Sequence, residues 1–103
     1  MTIRAFKLKL KPGCEAEYRR RHDELWPDLA ALLRQSGISD YSIFLDEETL
    51  TLFAVQRLAE DHTLVALPQH PLMRQWWASM APLMETNPDH SPQEVDLRLC
   101  TTS

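Results

Sequence analysis

The chain has only two glycines, Gly13 and Gly37, among its 103 residues. A loop that cradles phosphate needs several glycines close together, so the usual entry point for nucleotide cofactors is missing. Cysteine is as scarce: Cys14 and Cys100 lie near opposite ends, with no CxxC spacing, and read as free thiols rather than a metal knuckle or a disulfide. Neither a G-x-S-x-G elbow nor a Cys-His pairing signature occurs. His62, His70 and His90 follow one another at spacings of eight and twenty, without flanking ligands, which argues against a metal site. No apolar run approaches the ~20 residues of a membrane-spanning helix. Near the start, Arg4 and Lys7 break the apolar stretch that a signal peptide requires. The chain therefore reads as cytoplasmic, with no membrane as partner. Positive charge is also short, with 11 Lys and Arg against 15 Asp and Glu and a formal net charge of -4. The one basic cluster, Arg19, Arg20 and Arg21, has acidic neighbours on both sides, so no broad face exists to neutralise phosphates and nucleic acid is not expected.

What is present is the composition of an ordinary globular protein, with 44% hydrophobic and 25% charged residues. Such a length supports one core, so residues 1–103 read as a single domain. Apolar residues alternate with Lys7 and Lys9, which predicts a strand over residues 2–10. Pro12-Gly13 marks a turn. Tyr18, His22, Leu25, Trp26, Leu29, Leu32 and Leu33 then recur at spacings of three and four, the period of an amphipathic helix that closes at Ser36-Gly37. Pro27 interrupts it, because proline has no amide hydrogen to donate back along the helix; a kink or a junction between two helices both satisfy the pattern.

Residues 38–45 and 50–58 are rich in β-formers and flank the polar turn at 46–49, so they predict a hairpin. A short helix over 61–67 stopped by Pro68, a second helix over 71–84, a loop over 86–92 and a last strand over 93–100 complete the chain. The order is that of an α+β, ferredoxin-like (split βαβ) unit: an antiparallel sheet with helices on one face. Its other face needs cover, and a second copy of the chain is the simplest source, so a homodimer is expected.

Several residues could carry chemistry. Tyr18 and His22 are four apart, an angular offset of about 40° on an ideal helix, so both can address one ligand, the plainer alternative being that both merely edge the core. Histidine exchanges a proton near neutral pH, which suits sugar ring opening, where one oxygen needs an acid and another a base. Trp76 and Trp77 are adjacent and point about 100° apart, so at least one should leave the core for an edge or pocket. Indole faces suit the apolar C–H face of a pyranose, with polar groups fixing its hydroxyls. Tyr41 should share a strand face with Ile43 and Leu45, with a hydroxyl in need of a partner.

Taken together, the segment Tyr-Arg-Arg-Arg-His-Asp-Glu-Leu-Trp-Pro at 18–27, Asp40-Tyr41-Ser42-Ile43 with Leu45-Asp46, Gln75-Trp76-Trp77, and Asn87-Pro88-Asp89 with Ser91-Pro92 resemble the L-rhamnose mutarotase family in order and spacing. The resemblance covers nearly the whole chain and is loosest around Cys14 and over 61–70. It implies a dimeric α/β barrel that interconverts the α and β anomers of L-rhamnopyranose with no metal and no cofactor. It also implies that His22 is the proton donor and that Tyr18, Tyr41, Trp76 and Trp77 bind the sugar. For the accompanying base, Asp89, Tyr41 and a water are the candidates. Two other readings remain: a cofactor-free monooxygenase of the same dimeric barrel type, and a sugar-binding module without catalysis.

Overall fold

The computed structural model describes residues 2–102. Strand β1, Thr2–Lys9, runs through the centre of a four-stranded antiparallel sheet of order β2-β3-β1-β4, where β2 is Ile38–Asp46, β3 is Thr51–Leu58 and β4 is Val95–Leu97. This is the split βαβ topology that the order of elements predicts. The alternation is strict in the middle strands, so that Phe6 and Leu8 of β1 and Leu52, Ala54 and Leu58 of β3 are buried on one face. The helices cover that face. Leu29, Met73, Trp76 and Met80 from the helices join the strand residues in one core.

The long helix read from the sequence is two. Helix α1, Glu15–Asp23, ends before Trp26, and α2, Pro27–Gln35, begins on the proline itself. Proline at the first helical position leaves no hydrogen bond unmade, so Pro27 starts a helix rather than kinking one. Helix α1 suits its own dipole, with Glu15 and Glu17 in its first turn and Arg20, Arg21 and His22 in its last. Arg21 also donates to the carbonyl of Ser79, which ties α1 to the third helix.

Helix α2 closes where glycine was expected, at Gly37 with φ of +100°. The reason is spatial as well as torsional: a Cβ at Gly37 would lie 2.7 Å from Cβ of His62. The β2–β3 turn is held by Asp46, whose Oδ1 accepts from the Glu48 amide at 3.0 Å and whose Oδ2 accepts from the Thr49 hydroxyl at 3.0 Å.

Three boundaries differ from the sequence reading. Pro68 lies inside the 3-10 helix Leu64–Gln69 instead of stopping a helix before it, because the tighter helix begins three residues later than expected. Helix α3 is Pro71–Met80, capped by His70 Nδ1 accepting from the Leu72 amide at 3.1 Å, and the remainder to Leu83 tightens into a 3-10 turn containing Pro82. The last strand is confined to Val95–Leu97, since only these residues pair with Ala5, Phe6 and Lys7 of β1.

Candidate active site

Between the buried face of the sheet and helices α1 and α3 lies a cleft of about 1060 Å³. Tyr18, His22, Tyr41, Trp76 and Trp77 all line it, so the structure brings the five residues singled out from sequence to one place. Helix α1 supplies Tyr18 and His22 through their four-residue spacing, β2 supplies Tyr41, and α3 supplies both indoles. Tyr41, Ile43 and Leu45 line the cleft together, as strand alternation requires.

His22 is clamped. Its ring lies over that of Tyr18, with centroids 4.2 Å apart and a tilt of 33°, and meets the Trp76 ring edge-on at 5.4 Å. Its Nδ1 is 3.0 Å from the carbonyl oxygen of Tyr18. A carbonyl only accepts, so Nδ1 carries the hydrogen in this arrangement and Nε2 is the nitrogen left to exchange a proton. Burial holds the His22 pKa below its ordinary 6.5, against opposing effects of the Tyr18 carbonyl and the Asp23 carboxylate. The resting imidazole at neutral pH is therefore mainly uncharged.

Both phenols keep their protons. Burial pushes Tyr18 well above the ordinary tyrosine range, and the Tyr41 hydroxyl adds to the effect. Tyr41 is pushed up to about 12 by burial first and the Glu94 carboxylate second, with Arg4 and Gln56 acting in the opposite direction. Although Tyr41 is 42% exposed as a residue, that exposure does not free its hydroxyl from these neighbours. Both tyrosines are hydrogen-bonding groups at neutral pH, not bases. Asp89 does not line the cleft: its Oδ1 accepts from the amide of Ser91 at 3.0 Å and from the Ser91 hydroxyl at 2.5 Å, so it shapes the 86–92 loop instead.

Four residues absent from the sequence-based site belong to its surroundings. Trp26 packs edge-on against Trp76 at 5.1 Å and supports the indole behind His22. Arg4, Gln56 and Glu94 form a polar group along the cleft wall. Two of them carried a sequence signal: Gln56 as the polar member of the buried series Leu52, Ala54, Gln56 and Leu58, and Trp26 through its helical spacing from His22 and Leu29. Among the described residues no three His, Cys, Asp or Glu side chains come together as a metal-ligand set. No helix among them is long and apolar enough to cross a membrane.

The sequence model of the L-rhamnose mutarotase family matches residues 4–101. The L-rhamnose mutarotase of Rhizobium leguminosarum bv. trifolii is 62% identical over 93 residues, covering 90% of this chain and 88% of that protein. That of Brucella anthropi is 60% identical over 94 residues, covering 91% and 89% respectively. The crystal structure of an L-rhamnose mutarotase from Formosa agariphila superposes with a TM-score of 0.92 at 43% identity and covers 100% of this chain and 99% of its own.

Proposed function

The chain belongs to the L-rhamnose mutarotase family, and with that as premise we propose that the anomers of L-rhamnose exchange in the cleft, with His22 as the proton donor. As a mutarotase it is a carbohydrate isomerase. The observation that supports placing the reaction here is the clamped imidazole, which lines the cleft with Nδ1 occupied by the Tyr18 carbonyl and Nε2 left for exchange.

In this reading the charged imidazole gives its Nε2 proton to the ring oxygen as the bond from that oxygen to C1 breaks. The anomeric hydroxyl loses its proton to a water and becomes the carbonyl oxygen of the open aldehyde. Rotation about C1–C2 presents the other carbonyl face. The ring hydroxyl then attacks, Nε2 recovers the proton, and the anomeric oxygen is reprotonated, so the cycle consumes nothing. Nδ1 keeps its hydrogen bond in both charge states, so the ring need not turn between donating and accepting. Tyr18 and Tyr41, both protonated, donate to sugar oxygens, while Trp76 and Trp77 meet the C–H faces. Each positioned proton transfer contributes ~10²–10⁴-fold, which suffices for a reaction that water already performs slowly.

The same proposal includes one domain acting as a cytoplasmic homodimer. The sheet face turned away from the helices is unusually apolar: Phe44 is 61% and Ile3 60% exposed, and Phe53, Val95 and Leu97 lie exposed with them. Register joins them, since Phe53 faces both Phe44 and Lys7, and Lys7 faces Val95. A second copy of the same face would cover it.

Saturation-transfer NMR on the anomeric protons of L-rhamnose tests the reaction. The native protein should accelerate exchange well beyond the buffer rate, while His22→Ala, still folded, should return it close to that rate. Near-native exchange in the variant would remove His22 from the mechanism. Buffer-rate exchange with the native protein, despite binding, would leave a sugar-binding module.

A further inference from the structure

Gln56 occupies a position that strand alternation gives to apolar side chains, and it is only 4% exposed. Burying a carboxamide is unfavourable unless its oxygen and its amide hydrogens find partners. The oxygen has one: Arg4 Nη1 donates to Gln56 Oε1 at 3.2 Å. A guanidinium carries donors only, so this contact settles which end of the amide faces β1. The oxygen turns toward Arg4, and the NH2 group faces β2, where it hydrogen-bonds the Tyr41 oxygen, and the cleft.

Arg4 is itself held in place. Its Nη2 donates to Glu94 at 2.7 Å and to Asp96 at 3.2 Å, and its guanidinium carbon lies 4.0 Å from the centre of the Phe6 ring. The pairing register makes Arg4 and Tyr41 the two direct cross-strand neighbours of Gln56. A single row thus crosses the cleft face of the sheet from the acidic residues before and within β4, through Arg4 and Gln56, to Tyr41. All of Arg4, Gln56, Tyr41 and Glu94 line the cleft.

We propose that Gln56 binds the substrate, its second amide N–H donating to a sugar oxygen beside Tyr41, and that Arg4 is a positioning residue that holds the amide in this orientation. The inference rests on the cleft being the site of the mutarotase reaction. A free carboxamide can flip and present either a donor or an acceptor, and a sugar hydroxyl can satisfy both. Locked by Arg4, the amide presents only a donor, which selects for an oxygen at one point of the ring and penalises a sugar that lacks it. The carboxylates of Glu94 and Asp96 balance the arginine charge, so the lock adds no net positive charge to the wall.

The test measures enzyme-accelerated anomer exchange against L-rhamnose concentration for the native protein and for Gln56→Leu, Gln56→Glu, Arg4→Met and the Arg4→Met/Gln56→Leu pair. Leucine removes the amide at similar volume, and glutamate keeps the shape and the Arg4 contact but offers no proton at neutral pH. Both should raise KM about tenfold while kcat changes by less than about threefold, the pattern of a lost binding contact. Arg4→Met should raise KM less, and the double variant should match Gln56→Leu alone, because Arg4 acts through the amide. If Gln56→Leu does not fold, Gln56→Glu carries the test. A native KM in a folded Gln56 variant, or additive effects in the pair, would overturn the assignment while leaving the reaction intact. Absence of acceleration by the native protein would overturn both.

Discussion

The imidazole of His22 lies over the phenol of Tyr18 at 4.2 Å, and the same residue's carbonyl oxygen holds its Nδ1 at 3.0 Å. One residue thus fixes both the plane and the tautomer of the other, a consequence of their separation by a little over one helical turn. The four-residue spacing in the sequence is therefore a mechanism for presenting Nε2, and it makes His22 a group whose charge and position can be probed separately.

The pH dependence follows from the charge. Burial lowers the His22 pKa, so the folded protein binds its proton less readily than the unfolded chain. If the charged imidazole is the donor, kcat/KM corrected for the buffer reaction should climb as pH falls from 8 and level off only below 6.5, the ordinary value. A profile that declines on acidification through this region would mean that Nε2 starts as a base. Stability has the opposite direction: the contribution of a neutral His22 is complete above the unfolded pKa and is lost as pH falls through the lower folded one. His22→Ala should flatten this part of the stability profile in denaturant titrations at matched pH.

The two adjacent tryptophans should separate structure from binding. Trp76 is buried and touches both His22 and Trp26, so Trp76→Ala should cost about 3–5 kcal/mol in urea unfolding as well as loosening the imidazole. Trp77 is half-buried, lines the cleft and makes no ring contact with these partners. Trp77→Ala should cost less than about 2 kcal/mol but raise KM about tenfold, the loss of one stacked face. Equal stability costs for the two variants would contradict this division.

Much of this site was legible because it depends on local spacing. Tyr18 and His22 share a helix face by periodicity, Tyr41 shares a strand face with Ile43, and two neighbouring indoles cannot both enter one core. Gln56 and Arg4 escaped because their meaning depends on register: they are 52 residues apart in sequence and meet only once β1 pairs with β3. Trp26 escaped for a related reason. Its role follows from the break before Pro27, which periodicity blurs, since the pattern of apolar residues passes through the junction without a gap. The ends of the short helices were misplaced because 64–69 is a 3-10 helix that holds Pro68 inside it, and because Pro82, with no amide hydrogen to continue the ladder, ends the α-helix at Met80.

The two glycines should respond unequally to alanine. Both have positive φ, +81° at Gly13 and +100° at Gly37, so each substitution carries a torsional cost of about 1–2 kcal/mol. Around Gly13 a Cβ meets nothing within 4 Å, and the cost should stop there. At Gly37 the added carbon would lie 2.7 Å from His62 Cβ and 2.8 Å from His62 Cα, and backbone does not move aside as a flexible side chain can. Thermal or urea unfolding should therefore show Gly37→Ala destabilised by at least about 1 kcal/mol more than Gly13→Ala. Equal losses would mean that the 59–63 segment shifts freely.

The outer face of the sheet offers the sharpest test of assembly. Phe44 sits opposite Phe53 on that face, and at 61% exposure it contributes little to the protomer's own core. Phe44→Asp should therefore fold with nearly native stability, yet place a carboxylate in the middle of any contact made through this face, where a second copy brings an identical charge toward it across a two-fold axis. Multi-angle light scattering should report a native mass near twice that of one chain, falling to one chain in the variant. Since the cleft opens on the opposite face, anomer exchange per protomer should persist in the monomer. An unchanged dimer mass would move the contact to another surface, and a native monomer would mean that this apolar face remains in water.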